Sequence, residues 1–353
     1  MKGFVSGLMM ATAMVLSATA AEAGAIAPNA TPITFDPGIG SNLTVSGQLS
    51  GLAYYQTNAT HAFPGDNSSY LDLDNAMVGI AKTDGIFQFD VQAGEYDFPV
   101  VGYPYTKAST TTSDTFGVVP IAYAKLQLSD TFSVEAGKLP TLIGAELPFT
   151  TQNANIERGL LWNQEPLISR GVQANYASGP LSVSVSWNDG NYTNRWNTFS
   201  GLISYAIDSV NTLAFDAAIT GDSGPYAKNQ IYDLMYTYSN APWTVGPYVQ
   251  YQTQSGNGDE WGVGLLASYQ FTPTWSLNGR IEYEDSSNSS GLLIYGPGSS
   301  AFSATITPTW QKGIFFVRGE LSYASLGSNS LGFGKLDNKN DTFRAMLETG
   351  ISF

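Results

Sequence analysis

The sequence predicts an all-β protein: a transmembrane, antiparallel up-and-down β-barrel of about sixteen strands, with a long third loop folded into its lumen. Three observations carry that expectation. Apolar and polar residues alternate with a period of two through run after run, as in strands that separate two solvents. The connections between runs are alternately short and long. An export leader opens the chain, and no later apolar stretch reaches the roughly 18 residues of a membrane helix.

Composition narrows the choice further. Charged residues make up 12% and aromatics 13%, with 37 Gly and no Cys, a profile poor in helix formers and rich in strand and turn residues. The formal charge of −14 leaves no basic face and argues against a nucleic-acid partner. A mean hydropathy of −0.07 fits strands that show lipid only every second residue.

Lys2, the apolar run from Phe4 to Leu16, and Ala21-Glu22-Ala23 or Ala23-Gly24-Ala25 have the order of a secretory leader, assigned to 1–25. Its removal takes away Lys2 and Glu22 together and leaves the net charge unchanged. Residues 26–41, rich in Pro, Gly and Thr, read as a periplasmic arm without a period, and 42–353 as the barrel. Leu43, Val45, Leu49, Ala53 and Tyr55 share one parity, opposite Thr44, Ser46, Gln48 and Ser50. Leu71, Leu73 and Met77 alternate with Asp72 and Asp74; after the turn at Thr83-Asp84-Gly85, Phe87, Phe89, Val91 and Ala93 alternate with Gln88, Asp90 and Gln92. The most legible copies are late, where Phe302, Ala304, Ile306, Pro308 and Trp310, then Phe315, Val317, Leu321 and Tyr323, oppose polar partners.

One set of connections is short: residues 83–85, 129–131, 178–180, 208–210, 240–242, 272–274 and 312–313. The alternate set is longer and polar: 57–68, 98–115, 189–197, 221–228, 255–260, 286–300 and 326–340. Short turns on the periplasmic rim and long loops outside are the expected asymmetry. The longest irregular insert belongs to the second set and runs from Leu139 to Ser169. It carries Glu146, Glu157, Arg158 and Glu165 together with Leu160, Leu161, Trp162, Pro148 and Pro166, too apolar to hang free in water, so it is expected to narrow the lumen.

The last strand places Phe343, Ala345, Leu347, Ile351 and the terminal Phe353 on one parity. It resembles the C-terminal signal that barrel-assembly machinery reads in bacterial outer-membrane proteins. Val134-Glu135-Ala136-Gly137-Lys138-Leu139-Pro140, Ile143-Gly144-Ala145-Glu146, Ser169-Arg170-Gly171-Val172-Gln173-Ala174 and Trp187-Asn188-Asp189-Gly190 resemble the OmpL-like β-barrel porin family, with an inserted Asp189 displacing the aromatic that usually follows that family's Asn-Gly corner. The resemblance implies a pore-forming outer-membrane protein embedded in lipid; the sequence leaves open whether it is a monomer or a homotrimer.

With the apolar parity toward lipid, the lumen charges are Asp72, Asp74, Asp90, Glu135, Asp216, Asp233, Glu282, Glu284, Glu320 and Glu348 against Lys125, Arg280, Arg318 and Arg344. Acid outnumbers base, which predicts a modest cation preference for small hydrophilic solutes and ions. Glu146, Glu157, Arg158, Glu165 and, at the loop's base, Arg170 are the candidate constriction, either setting a field across the pore or pinning the loop to the wall. Trp243, Trp261, Trp275, Trp310, Tyr232, Tyr269, Tyr283 and Tyr323 read as interfacial girdles. Tyr123, Tyr248, Trp162 and Trp196 are the candidates for sugar stacking. The single His61 sits by no nucleophile elbow, and the 337–341 loop (DNKND) is at best a weak Ca²⁺ binder, so neither an enzyme nor a cofactor is expected. The competing readings are a plugged structural or adhesive barrel and, less favoured, an outer-membrane hydrolase.

Overall fold

A computed structural model describes residues 25–27, 31–38, 41–59, 67–287, 292–327, 330–334 and 338–353. The leader up to residue 24, His61 and Asp337 lie outside the described residues.

A short strand β1 (Ile33–Phe35) precedes the barrel strands β2 (Leu43–Gln56), β3 (Ser69–Lys82), β4 (Phe87–Tyr96), β5 (Ile121–Gln127), β6 (Phe132–Pro140), β7 (Ile168–Ser178), β8 (Leu181–Asn188) and β9 (Thr198–Ala206). The ring continues with β10 (Asn211–Thr220), β11 (Asn229–Asn240), β12 (Trp243–Gln254), β13 (Gly258–Thr272), β14 (Trp275–Ser286), β15 (Ser300–Lys312), β16 (Phe315–Leu326) and β17 (Asp341–Ser352). Each strand pairs antiparallel with its sequence neighbour, and β17 pairs with β2, so β2 to β17 form a closed ring of sixteen strands. Closure leaves no open edge, the condition for strands to cross lipid.

At the seam Phe353 and Gly47 exchange two backbone hydrogen bonds of 2.8 and 2.9 Å. Gly47 leaves space for the terminal ring, since a Cβ there would lie 2.5 Å from Phe353 Cζ. β1 pairs with Leu43, Thr44 and Val45 of β2, giving the N-terminal arm a strand where none was expected.

Two solvents explain the pattern of exposure. Phe302, Ile306, Phe315, Leu321 and Leu347 stand exposed on the outer face, while the alternate residues Ser303, Thr307, Arg318, Glu320 and Glu348 are buried inside. All eight expected girdle residues share the outer parity, with Trp243 opposite Tyr269 and Trp275 opposite Trp310 in register. Phe199 to Ile207, where the alternation is weak, falls largely within β9, which pairs on both sides.

Three sequence expectations need correction. Met77 does not share the outer face of Leu71 and Leu73: the register shifts opposite Ser50 and Gly51, and this bulge sends Met77 inward, where it is 7% exposed. The long insert is shorter at both ends, because Leu139 pairs with Ser169 and Pro140 with Ile168, leaving 141–167 irregular. The connection from β4 to β5 contains a helix, α1 (Ala108–Asp114), that no sequence signal marked.

Candidate functional site: the lumenal loop

The loop at 141–167 owes its shape to local chemistry. Pro148 and Pro166 have no N–H to offer a strand ladder. Asn153 replaces the ladder with a side-chain bracket, accepting from Leu147 N at 2.7 Å and donating to the carbonyls of Leu147 and Phe149 at 2.7 and 2.9 Å. Two single turns of 3-10 helix follow, Thr150–Gln152 and Leu161–Gln164.

One wall holds the loop through ions. Arg280 of β14 donates to Glu146 Oε1, to the Glu157 carbonyl at 2.7 Å, and to Glu282 Oε2 at 3.0 Å. Arg344 of β17 pairs with Glu157 Oε1, whose other oxygen accepts from Ser322 Oγ. Arg318 of β16 pairs with Glu348 and donates to the Asn153 carbonyl at 2.9 Å. Glu320 accepts from Ile156 N and, at 2.8 Å, from Glu157 N; Glu282 accepts from Leu160 N at 2.8 Å. Thr150 Oγ1 bridges Asp74 at 2.9 Å and Glu348 at 3.3 Å. The wall carboxylates thus act as acceptors for loop backbone, which sequence could not reveal because the pairs lie more than a hundred residues apart.

The opposite wall holds the same loop by packing. Leu142, Ile143, Leu160 and Leu161 join Leu202 of β9, Ala214 and Ala218 of β10, Ile231 and Met235 of β11, Tyr248 of β12 and Leu266 of β13 in one buried cluster. Fully burying such aliphatic side chains contributes about 1.5–3 kcal/mol each. Polar contacts are sparse here: Gly144 N to Asp216 Oδ2 at 3.3 Å and Gln250 Nε2 to Glu165 Oε1 at 3.1 Å.

Burial therefore sets the electrostatics of the loop. It raises the Glu146 carboxyl, an effect that Arg280 opposes. Glu165 is pushed well above the carboxylate range by burial and then by the negative charges of Asp233 and Asp216. Arg158 is fully buried, and desolvation lowers its guanidinium below the usual value. It donates to the Ile156 carbonyl at 2.8 Å and lies over the Trp162 ring at 6.0 Å.

The expected constriction set is brought together only in part. Glu146, Glu157, Arg158 and Glu165 all lie within the loop, fully or almost fully buried. Arg170 instead joins the neighbouring loop, because Asp189 takes its Nε at 2.8 Å and Tyr192 stacks under its guanidinium at 4.0 Å. Every expected lumen charge is on the inner parity; Asp72, Asp90 and Lys125 are partly exposed and the rest buried. Of the stacking candidates, Tyr123 and Tyr248 point inward and Trp162 is buried in the loop. Trp196 does not qualify: it is exposed and packs edge-on against the outward Trp187.

Two buried acids were missed. Glu260 had been assigned to a loop, yet it lies in β13 on the inner parity; the alternation of Trp261 and Val263 with glycines, traced back two residues, would have found it. Asp97 follows β4, accepts from Phe98 N and Thr111 Oγ1, and is raised by burial to about 7. Among the described residues no three His, Cys, Asp or Glu side chains are placed to hold a metal ion.

Outer loops close over this arrangement. Arg158 exchanges backbone hydrogen bonds with Pro99 and Val101 of the β4–β5 connection. Tyr295 and Phe333, from the connections after β14 and β16, pack into the same apolar cluster as Val101 and Leu160. At the rim that carries the short turns a vestibule of about 440 Å³ lies beside Ala25, Ala27 and Gln311. There Ala27 and the Gln311 amide form two 2.9 Å hydrogen bonds, and Ile26 N reaches the Thr151 carbonyl at 3.0 Å.

The fold is shared with solved outer-membrane proteins. The in-vitro folded outer-membrane protein OmpT of Vibrio cholerae matches with a TM-score of 0.62 at 10% identity, over 92% of this chain and 100% of that one. The outer-membrane channel DcaP of Acinetobacter baumannii gives 0.64 at 12% identity, over 90% and 99%. An anion-selective porin from Comamonas acidovorans gives 0.62 at 10% identity, over 89% and 100%. No curated protein matches the chain by sequence. The family model for beta-barrel porin-2, OmpL-like, matches residues 42–353, the whole closed ring. A sixteen-strand barrel with lipid-facing aromatics, a polar interior and this family match make the chain a porin-like channel of the bacterial outer membrane, and it belongs to the OmpL-like beta-barrel porin-2 family.

Proposed function

We propose that the chain is a passive diffusion channel for small hydrophilic solutes and ions, with a modest cation preference and its narrowest section at the 141–167 loop. The observation that carries this reading is the interior itself, whose charged residues are acid in excess of base, behind a low-dielectric wall that focuses the field of that excess. Glu146, Glu157, Arg158 and Glu165 are the constriction residues in this reading. A family of channels, rather than of catalysts, also fits the absence of a nucleophile elbow from the sequence.

One observation favours a second reading. Residues 153–162 are buried throughout, and outer loops pack over them, as in a barrel stoppered for a structural or adhesive role. Single-channel conductance of the refolded protein in a planar bilayer, with the reversal potential taken across a KCl gradient, separates the two. Ohmic steps and a cation-favouring potential support the channel; a folded barrel that never conducts supports the stopper.

A further inference from the structure

The two faces of the lumenal loop are held by different chemistry. Toward β14, β16 and β17 its acids meet arginines. Toward β10 to β12 no base appears among the described residues. Glu165 of the loop, Asp216 of β10 and Asp233 of β11 are 5%, 0% and 1% exposed, and Asp216 and Asp233 stand directly opposite each other in register. Glu165 Oε2 and Asp216 Oδ1 are enclosed without a hydrogen-bond donor, and the Gln250 amide, which already donates to Glu165 Oε1, is the one donor among the described residues that faces Asp233. Three buried carboxylates so placed cannot all be ionised, and a carboxyl-to-carboxyl hydrogen bond requires a proton to share. A shared proton would supply the donor that these oxygens lack. The fit around it is close: a Cβ on Gly144 would lie 1.8 Å from Glu165 Oε2.

We propose that Glu165, Asp216 and Asp233 form a proton-operated latch: protonated, they let the loop close on the β9–β12 wall, and deprotonated, they release it while the ion pairs on the far wall act as its hinge. This rests on the reading of the loop as the narrow section of a channel. The groups facing the cluster support the direction of the effect. Besides the three acids these are Gln250 and Tyr248 of β12, Glu282 of β14 and Glu146 of the loop. Arg280 is held by Glu146 and Glu282. Raising the pH therefore adds like charge with nothing new to balance it. The apolar contacts of Leu142 and Ile143 resist until repulsion and the hydration of the freed carboxylates exceed them.

The chain has no cysteine, so Ile143→Cys, at a loop position 1% exposed, can report release through labelling by a water-soluble maleimide. Labelling is compared at each pH with the same cysteine in a Glu165→Gln background, which cancels the ionisation of the thiol. Asp216→Asn with Asp233→Asn gives a second background should one barrel fail to fold, as judged by heat-modifiable mobility. The expected result is a ratio between backgrounds that grows about tenfold from pH 6 to pH 9, with bilayer conductance rising in parallel only where the acids are intact. Identical pH profiles in the two backgrounds would overturn the latch. A labelling difference in a barrel that never conducts would overturn the channel reading and uphold the latch.

Discussion

Arg280→Met tests what holds the loop to its ion-paired wall. The substitution keeps an unbranched side chain of similar length and removes the guanidinium that joins Glu146, the Glu157 carbonyl and Glu282. Both carboxylates are at most 2% exposed, so losing their partner strands buried charge at a cost of about 3–5 kcal/mol. Glu282 keeps Tyr248 OH at 2.9 Å, Ser303 Oγ at 2.9 Å and the Leu160 N–H, whereas Glu146 keeps the Gly159 N–H alone. The penalty therefore falls mainly on the loop side of the contact. At about 1.4 kcal/mol per tenfold, it moves the docked-to-released ratio of the loop by roughly 10² to several 10³. Single-channel recording should then show larger, noisier openings, while heat-modifiable mobility stays as in the parent protein. Adding Glu146→Gln removes the stranded charge and should return most of the quiet behaviour. Arg280→Met channels with unchanged amplitude and noise would refute the reasoning, because the ion pair would then carry none of the loop's docking energy.

Deleting 148–166 should raise conductance with the barrel's gel mobility intact; unchanged conductance would mean that the loop does not limit flow. Gly350→Ala should weaken the closing seam by about 1–3 kcal/mol, read as a lower temperature of heat modification, because a Cβ there would meet Leu49 O at 2.3 Å and Ser50 Cα at 2.8 Å. Asp97 binds its proton more tightly when the β4–β5 connection is folded, with burial raising it to about 7. Stability of that connection is then fullest below about pH 4, falls as pH rises to about 7, and levels off above. Proteolysis of the connection against pH should follow that course, and Asp97→Asn should flatten it.

The membrane makes much of this fold readable. Lipid on one side and polar contents on the other impose a period of two on every strand, so the inner parity of Glu282, Glu320 and Glu348 follows from alternation alone. The limits are equally physical. Alternation fails at Met77 because a bulge adds a residue to one strand, and nothing local in the Asp74-Asn75 region announces it. It is silent about partners: Arg170 looks like a member of the loop by sequence position, but Asp189, 19 residues on, takes it. The conversion of Glu320 from a pore-lining charge into an acceptor for Ile156 and Glu157 N–H groups depends on docking across 163 residues or more, which no pattern encodes.

Those partners also determine where any selectivity must come from. Arg280, Arg318 and Arg344 are each paired with carboxylates, which cancels part of the charge in that sector of the interior. Acid with no basic partner among the described residues stands on the other side in Asp216, Asp233 and Glu165, with Glu260 and Glu284 at the edge of the same sector. If the same carboxyls both latch the loop and supply the negative field, opening and selectivity are one titration: proton loss releases the loop and charges the wall beside the gap it leaves. Cation preference and conductance should then climb together with pH at low salt, and the preference alone should shrink in about 1 M KCl, where screening shortens to about 3 Å. A pore that widened at high pH without becoming more cation-selective would put the current on the arginine side of the loop, where the charges are already paired.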